Sequence, residues 1–198
     1  MSKASNRQKS ILEAATRLIA RSGVRGLRVE ELAAEAGVST GLIYYHFGDR
    51  AGLMRRTLEF INERAERYTE PSASPRTDPR AYLEEMLLLE LQDLPAVVEN
   101  STAWGEFRAS AMFDAELREQ LREATAQWSD DASDFIRRAQ DAGTARDDVV
   151  ATDAAERLTA LVEGLSERWL TGAIPLERAR ELLRGALELE LGPAGSRK

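Results

Sequence analysis

The densest run of side chains able to do chemistry is Thr40-Gly41-Leu42-Ile43-Tyr44-Tyr45-His46-Phe47, with Arg28 before it and Arg50 and Arg55 after it. On a helix, Ile43 and Phe47 stand four residues apart and share one face, which must point inward. Gly41 and Tyr45 lie opposite that face, and Leu42, Tyr44 and His46 flank it. The outward surface therefore offers phenol hydroxyls, an imidazole and bare backbone, with guanidinium groups at its ends. Such groups contact base edges and phosphates. The competing reading is plain structure, with Tyr44 half-buried against the preceding helix and His46 an ordinary surface histidine.

Enzymatic chemistry finds little support. The chain has one His and no Cys, and it lacks a phosphate-cradling glycine loop, a Gly-x-Ser-x-Gly elbow and clustered metal ligands. The adjacent acids Glu84-Glu85 and Asp130-Asp131 point to different helix faces and cannot act as a pair. No catalytic residue, metal or cofactor is expected. A helical protein-interaction module is the non-enzymatic rival to DNA binding.

A second group of residues suits small-molecule binding. Trp104, Phe107 and Ala111 share a helix face, as do Trp128 and Phe135 further on. With Met86 they make walls for an apolar cavity, and Glu90 and Arg108 are charged neighbours able to fix a ligand's polar end. Glu106 reads more simply as a solvated residue. An aromatic stripe at helical spacing is also what an ordinary core looks like. A third group is apolar beyond one packing face: Leu158, Leu161, Val162, Leu165 and Trp169, then Leu182, Leu183, Ala186, Leu187 and Leu189. A four-helix bundle formed with the same pair from a second copy would bury both stripes, making a homodimer.

The elements that position these groups are all helical; no alternating β-type runs bounded by hairpin turns occur. The first helix carries the stripe Ile11, Leu12, Ala15, Leu18 and Ile19, has Ser5 and Gln8 at capping-box spacing, and is expected to end at Gly23. A second runs over about 28–36. Gly37 turns the chain, and Ser39 caps a third helix over 40–47. Asp49 caps a long fourth over 49–68. Three of six prolines fall within 70–79, a connector. Further helices are expected over about 79–92, 95–110, 114–142, 152–171 and 176–190. The long one has a near-heptad stripe at 117, 121, 124, 128, 132, 135 and 139. The expected architecture is all-α with about nine helices: a helix-turn-helix domain at 1–48 and a ligand-binding and dimerisation domain at 49–198.

Charge agrees with this division. The net charge is −7, yet residues 1–57 hold ten Lys and Arg against five Asp and Glu, leaving seventeen against twenty-nine in the rest. A basic end on an acidic body is the asymmetry of a chain that meets a polyanion at one end. The polar, basic start lacks a signal peptide's apolar run, and no window reaches the ~18 apolar residues of a membrane span. A cytoplasmic protein with no membrane partner is expected.

The run from Val38 to Leu53 resembles the recognition-helix signature of TetR-family (tetracycline-repressor-like) regulators, and the resemblance covers the first ~60 residues. It implies an N-terminal three-helix DNA-binding domain and a helical C-terminal domain dimerising through its last two helices. It also implies double-stranded palindromic operator DNA as partner, and repression relieved by a small-molecule effector acting through the fourth helix. By that resemblance Thr40, Gly41, Tyr45 and Leu42 align with base-reading or groove-lining positions, and Tyr44, His46 and Arg50 with phosphate-contacting ones. Arg28 stands where a capping Thr is frequent, and Leu42 where Thr is usual. Arg28 replaces the hydroxyl by charge but leaves its helix without a cap; Leu42 either touches a thymine methyl or packs. Trp104-x-x-Phe107 and Glu167-Arg-Trp-Leu170 loosely resemble the choline-responsive subgroup, which implies a tryptophan cage for a quaternary ammonium.

Overall fold

The helix α1 (Lys3–Gly26) forms because its apolar residues recur with helical period, and Ile11, Ala15, Leu18 and Ile19 are fully buried as expected. The chain is seen here as a computed structural model that describes residues 3–72 and 75–192. α1 already includes Lys3, so Ser5 lies inside it rather than at its cap, and the side chain of Ser5 falls outside the described residues. Gly23 does break α1, at φ +74° and ψ 166°, but helical residues resume beyond it to Gly26.

Eight further helices follow among the described residues, with no strand: α2 (Val29–Ala36), α3 (Thr40–Phe47), α4 (Arg50–Tyr68), α5 (Pro79–Leu88), α6 (Pro95–Ala111), α7 (Ala115–Asp141), α8 (Ala151–Leu170) and α9 (Leu176–Leu191). The all-α expectation and its nine helices are met. The proline-rich stretch between α4 and α5 is non-helical; residues 73 and 74 of that connector lie outside the described residues.

The helices group into two compact units, Met1–Ala65 with Glu99–Glu123, and Glu66–Val98 with Ala124–Lys198. This differs from a boundary at 48/49, and burial explains why. The first three helices enclose too little apolar surface to be stable alone. The first unit is completed by Leu53, Met54, Leu58 and Ile61 of α4, Ala103, Phe107 and Ala111 of α6, and Leu117 of α7. α6 is fastened to α4 within this unit: buried Asn100 donates from Nδ2 to the Ile61 carbonyl at 3.1 Å, and Arg64 pairs with Glu99 at 2.8 Å.

The second unit's core joins Leu83, Leu87 and Leu91 to Ala132, Ile136 and Ala139 of α7, Leu158, Val162 and Leu165 of α8, and Leu183 and Leu187 of α9. On α7 the interior follows 132, 136 and 139, so Ile136 is fully buried while Phe135 is only partly so. A straight helix repeats every 3.6 residues, and the expected heptad stripe drifts off that face by one position.

Candidate nucleic-acid interface

The reading head is built from local signals. Gly37 adopts φ +66°, ψ 36°, which lets the Val38 N–H donate back to the Ala33 carbonyl at 2.9 Å and closes α2. Ser39 Oγ accepts from the Leu42 N–H at 3.2 Å and opens α3. Asp49 Oδ1 accepts from the Gly52 N–H at 2.7 Å and opens α4. Between these caps α3 can only be a two-turn helix, anchored by Ile43 and Phe47, which are buried.

Its other face is open. Tyr45 is 82% exposed and Tyr44 46%, and Gly41 is exposed beside partly exposed Thr40, Leu42 and His46. The Tyr45 and His46 rings meet edge-to-face at 5.4 Å. These side chains therefore form one continuous polar-aromatic surface. Arg28 occupies the cap position of α2 in extended backbone with no side-chain cap bond, and its guanidinium is exposed. Glu30 and Glu31 in the first turn favourably oppose the helix dipole there.

Arg50 is engaged inside the head. Its two terminal nitrogens donate to the carbonyls of Val24 and Leu27, each at 2.6 Å. It thus satisfies carbonyls left open where α1 ends and ties α4 to them. A further group escaped the sequence reading. Arg17 donates to Glu35 at 2.8 Å, and Arg21 to Glu31 and Glu35 at 3.1 and 3.2 Å. Burial raises the Glu35 carboxyl, but the bonds from Arg17 and Arg21 outweigh it and hold the group below its usual range. The signal was present as two i, i+4 pairs on facing helices, and the clamp fixes α2 on α1.

Residues 11–57 match the family model of bacterial regulatory proteins of the tetR family, and residues 75–192 match that of the C-terminal region of BetI-type transcriptional repressors. The chain belongs to the TetR family. A Burkholderia ambifaria protein named HTH-type transcriptional regulator BetI is 27% identical to this TetR-family regulator over 169 residues, covering 85% of it and 82% of the relative. A Rhodococcus sp. crystal structure described as a TetR-family transcriptional regulator is 45% identical, with a TM-score of 0.89 over 94% of this chain and 99% of that one. A Saccharomonospora viridis structure, described as a transcriptional regulator in complex with choline, is 27% identical, with a TM-score of 0.78 over 94% and 98%. The protein is thus a DNA-binding transcriptional regulator of this family, with a BetI-type C-terminal region.

The residues expected to bind an effector divide between the regulator's two cores. Met86, Trp128 and Phe135 pack against the second, where the Phe135 ring lies 4.5 Å from that of Tyr82. Glu90 is in the same unit and accepts from the Tyr68 hydroxyl at 3.3 Å. Burial, with the nearby charge of Glu163, pushes its carboxyl up to about 7 against that hydrogen bond. Trp104, Phe107 and Arg108 belong to the first unit. Phe107 is 1% exposed there and fills its core with Ala103 and Ala111, the packing alternative for that face.

The expected dimer residues divide as well. Leu158, Val162, Leu165, Leu183 and Leu187 are buried within one chain, because α8 and α9 pack on each other and α9 also on α5. Leu161, Trp169, Leu182 and Ala186 remain partly exposed, and Leu189, the last residue of the expected stripe, is 80% exposed. Among the described residues no helix is long and apolar enough to cross a membrane, and no group of His, Asp and Glu is placed to hold a metal ion.

Proposed function

We propose that this TetR-family regulator is a homodimeric repressor that holds a palindromic operator through α3 and releases it when a small organic cation of the choline type binds. The observation behind this reading is the open face of α3, with Tyr45 and Tyr44 displayed on a helix capped at both ends. Thr40, Gly41, Leu42 and Tyr45 meet base edges. Tyr44, His46 and Arg28 meet phosphates, while Arg50 serves by holding α4 against the end of α1. The choline-bound relative supports the ligand class. Tyr82, Trp128 and Phe135 offer ring faces, and Glu90 a carboxylate, to a quaternary ammonium. Two half-sites one turn of DNA apart require two recognition helices, hence two chains.

The test is a titration of labelled DNA from upstream of the regulator's own gene, followed by anisotropy. Binding must weaken as salt rises and with Tyr45→Ala, and millimolar choline must release the DNA. Retained affinity in Tyr45→Ala rejects the reading head. Absence of heat on titrating choline into the protein rejects the ligand class alone.

A further inference from the structure

The outward surface of α3 lacks the side chains that read most bases. Guanine is read by paired bonds from Arg or Lys, adenine by Asn or Gln, and cytosine by Glu or Asp. None of these residues occurs between Thr40 and Phe47. The charged groups beside α3 are placed for other work. Arg50 gives both terminal nitrogens to the Val24 and Leu27 carbonyls, Asp49 Oδ1 accepts the Gly52 N–H, and Arg28 stands at the cap of α2. The hydroxyls of Thr40, Tyr44 and Tyr45 and the His46 ring remain, and a lone hydroxyl bonds to either kind of base edge and discriminates weakly.

What α3 does display is apolar. Leu42 is partly exposed, yet it does not pack on the first unit's core. The partly buried apolar residues that do so, among the described residues, are Ala20, Ala36, Val38, Trp104 and Leu121. Leu42 therefore serves the outer surface rather than the fold. Tyr45, three residues on and 82% exposed, adds its ring to the same side. Gly41 lies one turn before Tyr45. A Cβ on it would meet only Ser39 Oγ, at 3.9 Å, so the fold does not demand a glycine there. Its bare backbone leaves room for a base edge to come close. The first residues of a recognition helix are the ones that meet base edges, and in the major groove thymine is the base that presents a methyl group.

We propose, on the footing that α3 is the operator-contacting helix, that it recognises its half-site chiefly through the C5-methyl groups of thymines in the major groove. Leu42 packs on one methyl and the Tyr45 ring on a neighbouring one, and the Gly41 backbone lets both approach. Leu42 and Tyr45 are thus the residues that set specificity, by apolar contact rather than by paired hydrogen bonds.

For the test, the full-length protein first selects a duplex from a randomised pool. That duplex is then made in three forms: with thymine, with uracil in place of every thymine, and with 7-deazaguanine in place of every guanine. Uracil keeps the pairing edge, O4 and the phosphates and loses only the methyl; 7-deazaguanine loses the N7 acceptor. Each lost methyl contact costs about fourfold in affinity, the value of one buried methylene. A palindrome carries each contact twice, so the uracil duplex should bind at least roughly fifteenfold more weakly than the thymine duplex. The 7-deazaguanine duplex should bind within about twofold of it. Leu42→Ala should bind the thymine duplex more weakly and the uracil duplex as wild type does, so that its preference for thymine shrinks. A thermal melt reports the fold of that variant, and the comparison of duplexes with wild-type protein does not depend on it. A pool that yields no preferred duplex, or a selected duplex that Tyr45→Ala holds as tightly as wild type, rejects the operator reading and this proposal with it. A selected duplex bound equally with thymine and with uracil leaves the operator reading standing and overturns methyl recognition. A larger loss on 7-deazaguanine than on uracil, or an undiminished thymine preference in Leu42→Ala, overturns it as well.

Discussion

Tyr45 and Arg50 stand five residues apart and have opposite predicted phenotypes. Tyr45 is 82% exposed, so Tyr45→Ala removes a surface ring and no core packing. Its melting temperature should match wild type while operator affinity falls roughly 5- to 150-fold, as loss of one groove contact worth ~1–3 kcal/mol implies. Arg50→Ala strips the Val24 and Leu27 carbonyls of their donors. Thermal unfolding should detect a loss of about 1–3 kcal/mol, with a smaller fall for Arg50→Lys, which can reach one carbonyl. Equal melting temperatures for wild type and Arg50→Ala would return Arg50 to a purely DNA-facing role. Glu90 makes a different prediction, through pH. Its carboxyl is raised from 4.5 to about 7 by burial and by Glu163. A raised folded-state value means that the folded protein binds the extra proton, so stability falls as pH climbs from 4.5 towards 7 and the cost is complete above that. Glu90→Gln removes the titration. The variant should gain on the order of 1–3 kcal/mol over wild type at pH 8 and little at pH 4.5, as parallel urea melts at the two pH values can measure.

Helix ends and glycines decide how the elements meet. A Cβ on Gly52 would strike the Phe47 backbone carbonyl, which cannot swing aside as a side chain can. Gly52→Ala must therefore push the first turn of α4 away from the end of α3, and a loss of about 1–3 kcal/mol together with weakened operator binding is expected. Gly41→Ala is its counterpart. There a Cβ meets only Ser39 Oγ, at an ordinary 3.9 Å, so the helix should gain up to about 1 kcal/mol while the added methyl intrudes on the DNA-facing surface. A stabler protein with poorer operator affinity is the expected result; unchanged affinity would move Gly41 off the interface. These elements also show what was legible beforehand. Ser39, Asp49 and Gly37 act through neighbours three or four residues away, and the buried face of α3 follows from helical period alone. The head's true extent was not legible. The stripe Trp104-x-x-Phe107 has the same spacing whether it lines a cavity or fills a core, and only the meeting of α6 with α4 through Asn100 and Glu99 settles that Phe107 does the latter. The Arg17, Arg21 and Glu35 clamp likewise depends on how α1 and α2 cross. The break at Gly23 was readable as a glycine, but its partner was not. A Cβ there would lie 2.6 Å from Glu106 Oε2, a residue 83 positions later that reads as merely solvated.

At the scale of the molecule, α4, α6 and α7 each contribute residues to both compact units. The proposed homodimer needs a face for its second copy, and the outer surface of α8 and α9 is the one proposed. With five of the expected interface leucines and valines used inside the chain, the face that remains is Leu182, Gly185, Ala186 and Leu189 on α9, spaced i, i+3, i+4 and i+7, beside Leu161 and Gly164 on α8. Among the described residues, a Cβ added at Gly164 or Gly185 would meet nothing within 4 Å, so the surface above these glycines is open to close approach by a partner helix. Leu189→Glu places a charge at the end of that face. The chain itself loses no packing, since Leu189 is 80% exposed. The substitution should therefore leave the melt of an isolated chain unchanged. In sedimentation at micromolar concentration, wild type should run at twice 22.0 kDa and Leu189→Glu at 22.0 kDa. Because two linked heads bind a palindrome far more tightly than one, the monomeric variant should lose ~100-fold or more in operator affinity, yet bind a single half-site as wild type does. A dimer that survives both Leu189→Glu and Gly185→Trp would place the interface on another surface of the regulator.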